Sequence, residues 1–495
     1  AARQELRVSE RTITNPILRG FNPDPSIVRV GDDFYIATST FEWYPGVQIH
    51  HSRDLRHWRL VSRPLDGERM LNMLGCPDSC GVWAPCLSWH DGLFWLAYTD
   101  VKRFDGNFKD THNYLTTARD INGPWSDPVY LNSSGFDPSL YHADDGRKWY
   151  LNRVWDHRPD RSFFNGIVMQ EYDADEQVLL DEPKYIFRGT ALDYTEAPHL
   201  YRFGDYYYLL TAEGGTGYGH AITVARSQSI EGPYEADPAG PMVTSRHQPD
   251  WPLQRAGHGD LVQLADGSLF VVFLVSRLFG DARHSPMGRE TAIQPARMTD
   301  DGWIRLPGDD ALPQVTMTAP DLPTFEPDPE IDRDDFDEPT LNSVYQWLRT
   351  PWPDEFCSLQ DRPGHLRLYG LESPGSLFRQ ALIARRQTSA RFVAETVVEF
   401  CPQNFQQLAG LIVYYNSAKF HYVYISHDND IGRHIGVMSC EADFSLAASF
   451  PIKDARIPLS SDGPVRLRAV ADAEILRFAW SAGESEEWQD IPVDL

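Results

Sequence analysis

Positive charge is scarce in this sequence: 45 Lys and Arg stand against 71 Asp and Glu, a formal net charge of −26 over 495 residues. Binding a phosphate backbone or an anionic lipid surface needs clustered Lys and Arg. A nucleic acid and a membrane surface are therefore excluded as partners, and a neutral ligand is favoured. Long apolar runs are missing as well, and none approaches the roughly 20 residues of a membrane-crossing helix. Cysteine is rare: Cys76, Cys80, Cys86, Cys357, Cys401 and Cys440 are the whole supply, far below the density of a disulfide scaffold. The spacing of the first three fits no zinc pattern, so they read as reduced structural thiols. The opening AARQELRVSERTITNP lacks the charged start and apolar stretch of a signal peptide. The chain does not begin with Met, which leaves a removed presequence open. Unpaired thiols and no visible leader make a cytoplasmic setting the expectation.

Aromatic residues are abundant, with 14 Trp and 22 Tyr, and they fall into a repeat. Five segments run in the same order: an acidic or aromatic cue, Pro or Gly, a short strand, a Gly-Asp or Asp-Gly turn, and an aromatic strand. They are NPDPSIVRVGDDFYIATST from Asn22, VWAPCLSWHDGLFWLAYTD from Val82, FDPSLYHADDGRKWYLNRV from Phe136, TEAPHLYRFGDYYYLLTAE from Thr195 and HGDLVQLADGSLFVVFLVS from His258. Pro25, Pro85, Pro138, Pro198 and Gly259 are equivalent, at spacings of 60, 53, 60 and 61 residues. Most repeats are followed by a second strand pair, as in HHSRDLRHWRLV and TTARDINGPWSDPVYL. Four short strands per repeat, five times over, predict an all-β fold that opens with a five-bladed β-propeller.

The composition shifts after about residue 305. A Pro- and Asp-rich stretch reads as an extended connection over 311–334, following a propeller over 1–310. From 335 to 495 short alternating strands return (RFVAETVVEF, LAGLIVYYN, FHYVYIS, VRLRAV) with no helix-length periodic stretch, which predicts a separate β-sandwich.

In a propeller the first strand of every blade starts near the central axis, so the residues that open the repeats converge. Here they are Asp24, Trp83, Asp137, Glu196 and His258. Three of five are acids in a chain where acids are 71 of 495 residues, more than chance placement gives. Carboxylates buried together push one another's pKa values apart, because like charges resist joint ionisation. Glycoside hydrolysis needs that split: one carboxyl protonated to donate to the leaving oxygen, another ionised to activate water or attack carbon. Acids plus His258 also resemble an oxygen-rich cation site, and that alternative stays open here. Asp193, Asp260 and Glu213 lie near these motifs but not at repeat openings, and read as structural.

The motifs NPDP, GVWAP, FDPSL, TEAPH, AGHGD and MGRET occur in the order seen in glycoside hydrolase family 43. The chain resembles the two-domain β-xylosidases of that family over essentially its whole length. The resemblance implies a second domain of concanavalin type and an exo-acting, inverting enzyme that releases xylose from the non-reducing ends of xylo-oligosaccharides. It implies Asp24 as general base, Glu196 as general acid and Asp137 as the residue that tunes and orients the acid, with base and acid about 6.5–9.5 Å apart. Arg289 is similar to an arginine that grips substrate hydroxyls, Phe41 and Trp83 to the apolar walls of the terminal-sugar subsite, and Thr216 to a pocket residue. His258 matches an axial histidine that in some members stands beside calcium or waters, so it is a candidate calcium site, although no cofactor is required. By the same resemblance a homo-oligomer is an expectation. Its members run on to a Gly-Phe-Thr-Gly-like segment that places an aromatic near the pocket, and no such segment occurs before Leu495. An α-L-arabinofuranosidase, alone or as a second activity, is the alternative enzyme. A sugar-binding propeller without catalysis is the remote one.

Overall fold

The computed structural model describes residues 11–440 apart from 107 and 309, and then residues 452, 455–483, 485 and 487–495. Residues 1–10, which carry most of the stretch read for a leader, lie outside the described residues. The chain forms two compact units, Ala1–Leu278 with Met287–Asp332 and Phe279–Pro286 with Arg333–Leu495. Both are built from strands, and the one helix among the described residues is a 3-10 turn at Pro353–Glu355.

The first unit holds five antiparallel sheets, each a meander of four strands in chain order, with a further short strand on the fourth. Their first strands are Ser26–Val30, Gly81–His90, Gly135–His142, Glu196–Phe203 and Gln254–Gln263. Each first strand packs on the next, and the fifth returns to the first, so the sheets close into a ring, the β-propeller expected from the repeats. The tight turns follow local chemistry. At Asp91–Gly92 both residues take left-handed backbone (φ 52° and 74°), as a two-residue hairpin between His90 and Leu93 requires.

The cores lie between neighbouring sheets. Ile27, Phe34 and Ile36 of the first sheet meet Val262, Phe270, Val272 and Ile293 of the fifth. Leu151, Ile167 and Met169 of the third meet Leu200, Leu209 and Ala225 of the fourth. Each of the larger of these side chains stabilises the fold by about 1.5–3 kcal/mol through burial, before the entropy of ordering is set against it. The segment ahead of the first sheet fastens the ring to the fifth. Thr12–Thr14 pairs with Thr316–Thr318, and the buried Asn15 amide donates to Ile293 O and Gln314 O while accepting from Ile293 N, all at 2.8–2.9 Å.

One device recurs at the axial end of the sheets. Asp24, Ala84, Asp137, Ala197 and His258 all have positive φ, between 39° and 57°. In the second to fifth sheets the ladder slips at this point, between Trp83 and Cys86, Phe136 and Ser139, Glu196 and His199, and Gly257 and Gly259. These are β-bulges, which unpair a residue and re-aim its side chain. Pro25, Pro85, Pro138 and Pro198 follow the left-handed residue directly, at a place where a missing N–H costs no ladder bond.

The second unit contains two four-stranded antiparallel sheets. One runs Arg391–Val398, Val465–Asp472, Ile475–Ala482, Gln489–Asp494, and the other Ala409–Asn416, Lys419–Asp428, Gly432–Cys440, Ile457–Pro458. Val423, Ile425, Ile435 and Val437 of one face Val465, Leu467, Ala469 and Phe478 of the other in a shared core, a β-sandwich.

Candidate active site

The left-handed residues at the sheet openings bring three buried carboxyls into electrostatic contact. Asp24 Oδ2 accepts the Ser39 hydroxyl at 2.6 Å, while Oδ1 faces His258 Nδ1 at 3.3 Å and an Arg289 nitrogen at 3.6 Å. Ser39 Oγ also accepts the Ala84 N–H at 2.7 Å, tying Asp24 to the opening of the second sheet. Asp137 Oδ2 accepts the Ala197 N–H at 3.0 Å, which fixes it against the residue next to Glu196.

Their environments push the three apart. Burial alone would raise Asp24, but Arg289, His258, the Ser39 hydroxyl and His220 outweigh it and hold this carboxyl below its ordinary value. Burial raises Glu196 to about 7, with the charge of Asp24 adding to the rise and Arg153, Arg289 and Lys109 pulling against it. Asp137 goes well above the ordinary carboxylate value, through burial first and then through Glu196 and Asp24. Below about pH 7 the site therefore holds an ionised carboxylate at Asp24 beside a carboxylic acid at Glu196. That pairing can take a proton from water and give one to a leaving oxygen in a single displacement.

The apolar wall stands next to the acids. Phe41 is locked to Val82 by two backbone bonds of 3.0 Å. Its ring contacts Phe21 and Trp83, at centroid distances of 5.3 and 5.9 Å, and Arg289 lies 5.0 Å above it. Trp83 is aimed by its indole N–H, which donates to Ser79 O at 2.9 Å, and its edge meets Phe136 at 5.3 Å. Such faces suit the C–H side of a pyranose, and the Arg289 fork suits neighbouring hydroxyls. Thr216 is different. It lies exposed in the Gly-rich turn after Tyr206–Glu213, and no hydrogen bond among the described residues links it to the cluster.

His258 and His220 are both buried, and burial pushes each down to about 4, so both rings are neutral at working pH. His220 donates its Nδ1–H to Arg255 O at 2.9 Å. A Cβ on Gly257 would come within 2.5 Å of that ring, which is why a glycine precedes His258. The neighbouring acids are committed elsewhere. Asp260 accepts Ser26 Oγ, Ile27 N and the Tyr201 hydroxyl, bracing three sheets at the axis. Glu213 accepts from Thr190 N, Thr190 Oγ1 and Thr195 Oγ1, each at 2.7 Å.

Sequence reasoning passed over Ser39, His220, Lys109 and above all Arg153. The last sits in Lys148–Trp155, as the cross-strand partner of Phe136, one residue before Asp137. The available signal was a charged residue in an otherwise buried strand, KWYLNRVW.

Residues 13–304 match the model of glycosyl hydrolases family 43, and residues 333–495 match that of the beta xylosidase C-terminal concanavalin A-like domain. A beta-xylosidase of Bacillus subtilis (strain 168) is 49% identical over 494 residues, covering 98% of this chain and 91% of that protein. Xylosidase/arabinosidase 43B of Humicola insolens is 51% identical over 485 residues, covering 97% and 88%. The crystal structure of a xylan beta-1,4-xylosidase from Bacillus halodurans C-125 superposes with a TM-score of 0.95 at 49% identity, covering 98% of this chain and 92% of that one. An axial cluster of split carboxyls on a ring of β-sheets, followed by a sandwich and matched along its length by these relatives, places the chain in glycosyl hydrolase family 43.

Proposed function

We propose that this protein is an exo-acting, inverting β-D-xylosidase that releases xylose from the non-reducing ends of xylo-oligosaccharides. The observation that carries the chemistry is the split among the buried carboxyls, with Asp24 held low and Glu196 raised to about 7. The relatives named as xylosidases support the choice of sugar.

In this reading the Asp24 carboxylate takes a proton from water while the water oxygen bonds to the anomeric carbon. The glycosidic C–O bond breaks on the opposite face, and Glu196 gives its proton to the departing oxygen. Ser39 and the neutral His258 orient Asp24, burial and the charge of Asp24 keep Glu196 protonated, and Asp137 is anchored beside it on the Ala197 amide. Phe41 and Trp83 stack on the sugar, and Arg289 holds its hydroxyls while keeping Asp24 ionised.

Calcium does not fit the axial residues. This ion takes six to eight oxygen ligands, whereas His258 offers a nitrogen and Asp24 is already engaged by Ser39, His258 and Arg289. Among the described residues no three His, Cys, Asp or Glu side chains gather as a metal-binding group. We therefore propose turnover without a metal.

A second activity on α-L-arabinofuranosides is favoured by the Humicola insolens relative, whose name joins both sugars. One experiment tests the set: hydrolysis of aryl β-D-xyloside and aryl α-L-arabinofuranoside by wild type, Asp24→Ala and Glu196→Gln, with and without chelator. The expected result is preferred xyloside cleavage that chelator leaves unchanged. Asp24→Ala should lower kcat by about 10²–10⁴-fold, and Glu196→Gln should lose most activity on substrates with poor leaving groups. Folded wild type that cleaves neither sugar, or that keeps its rate in Asp24→Ala, would overturn the reading.

A further inference from the structure

Arg153 is fully buried, and none of its three guanidinium nitrogens has a hydrogen-bond partner among the described residues. A buried charge left without hydrogen bonds is costly and needs an explanation. The guanidinium is clamped between rings instead, 3.7 Å from the Phe164 centroid, 4.3 Å from Phe136 and 5.4 Å from Trp155. Ring faces attract a cation without consuming its donors, and a guanidinium keeps its proton where a lysine would lose it.

The clamp has a definite address. Arg153 pairs across the sheet with Phe136, the residue before Asp137, and with Ile167 on its other side. Its charge is felt at both Asp137 and Glu196. The other charged groups acting on this pair are Asp24, which opposes ionisation of both, and Arg289 and Lys109, which favour the anion at Glu196. Arg289 is committed to Asp24 and lies at the substrate wall. Lys109 is only partly buried, over the Trp155 ring at 4.3 Å. Arg153 is thus the counter-charge that is both wholly desolvated and fixed.

We propose that Arg153 is a positioning residue for the acid pair: held by Phe136 and Phe164 with its donors uncommitted, it supplies a fixed positive charge that stabilises the carboxylate left when Glu196 gives up its proton. The proposal rests on the reading of Glu196 as general acid. A direct hydrogen bond from the fork would hold the acid ionised at rest and spoil it as a donor. A charge acting through space from between two rings leaves Glu196 protonated before the step and still favours the anion after it.

The test compares wild type, Arg153→Met and Arg153→Lys by the pH profile of kcat/KM on an aryl β-D-xyloside. It adds a titration of the Glu196 carboxyl by ¹³C NMR, with Glu196→Gln assigning the signal. In wild type the rate should fall as pH rises through about 7, as Glu196 loses its proton. Loss of the guanidinium should move this basic limb and the titration upward together, by about half a pH unit or more. It should also slow xylobiose, a poor leaving group, at least about tenfold more than the activated aryl substrate. Arg153→Lys, whose ammonium loses its proton in so buried a place, should move the limb upward as Arg153→Met does. A folded Arg153→Met protein with limb and titration unmoved would overturn the proposal, since a purely structural role predicts that result. If the Met variant does not fold, Arg153→Gln is read the same way. Should wild type cleave neither sugar, the substrate reading fails, while the carboxyl titration still decides the role of Arg153.

Discussion

Glu196 carries a cost that the fold meets only when the residue is charged. Its carboxyl titrates at about 7 in the folded chain against 4.5 ordinarily, mainly because it is buried. Below about 4.5 it is protonated in both folded and unfolded chains and costs nothing. Above about 7 it is ionised in both, and the folded state alone suffers the buried charge. Glu196→Gln should therefore gain thermal stability over wild type as pH rises from 4.5 through 7, and keep the gain at pH 8. Melting temperatures of the two proteins across that range check this; a constant difference would show that the cluster does not oppose ionisation of Glu196. The acids themselves were legible in the sequence because each stands one or two residues before a Pro at a repeat opening. Arg153 was not, because a charged residue in a strand reads as solvent-facing, and only the flanking Phe136 and Phe164 rings, from other strands, make its burial tolerable. Thr216, which its motif likened to a pocket residue, lies exposed in the Gly-rich turn without a bond to the cluster among the described residues.

Strands and turns decide where these side chains point. Spacing and turn residues were enough to expect five sheets, since Pro and Gly recur where the ladders slip. The bulges were not legible as bulges, because a left-handed Asp or Ala has no sequence mark comparable to that of glycine. Gly81 is a place where glycine is demanded. Its φ is 87°, and an added Cβ would lie 2.3 Å from Phe41 O and 2.7 Å from Met73 Sδ. Gly81→Ala should cost about 1–3 kcal/mol from the backbone alone. It should also raise KM, because Phe41 and the strand bearing Trp83 must move apart. Denaturant midpoints and aryl-xyloside kinetics check both; unchanged KM with lowered stability would separate the wall from the strand that carries it.

For the whole first unit the ring is the controlling feature. Its closure depends on residues from the two ends of the propeller, with Thr291 Oγ1 donating to Asn22 O across 269 residues of sequence. Asn15 bridges the same seam with three hydrogen bonds. Asn15→Ala strands buried backbone groups at about 1–3 kcal/mol each, so activity and β-structure should be lost in one transition at a lower temperature than in wild type. Separate transitions, with activity surviving the opening of the seam, would show that the ring is not cooperative.

Closure also sets an order in time. During synthesis Asp24 emerges first, Glu196 much later and Arg289 near the last, while Asn22 waits 269 residues for Thr291. The base is made long before it has an acid to work with or an arginine to keep it charged. If the ring is cooperative, catalytic competence arrives in one step with the joining of the circle, and a chain halted before Thr291 should be inert in an aryl-xyloside assay although it already carries Asp24, Glu196 and Arg289.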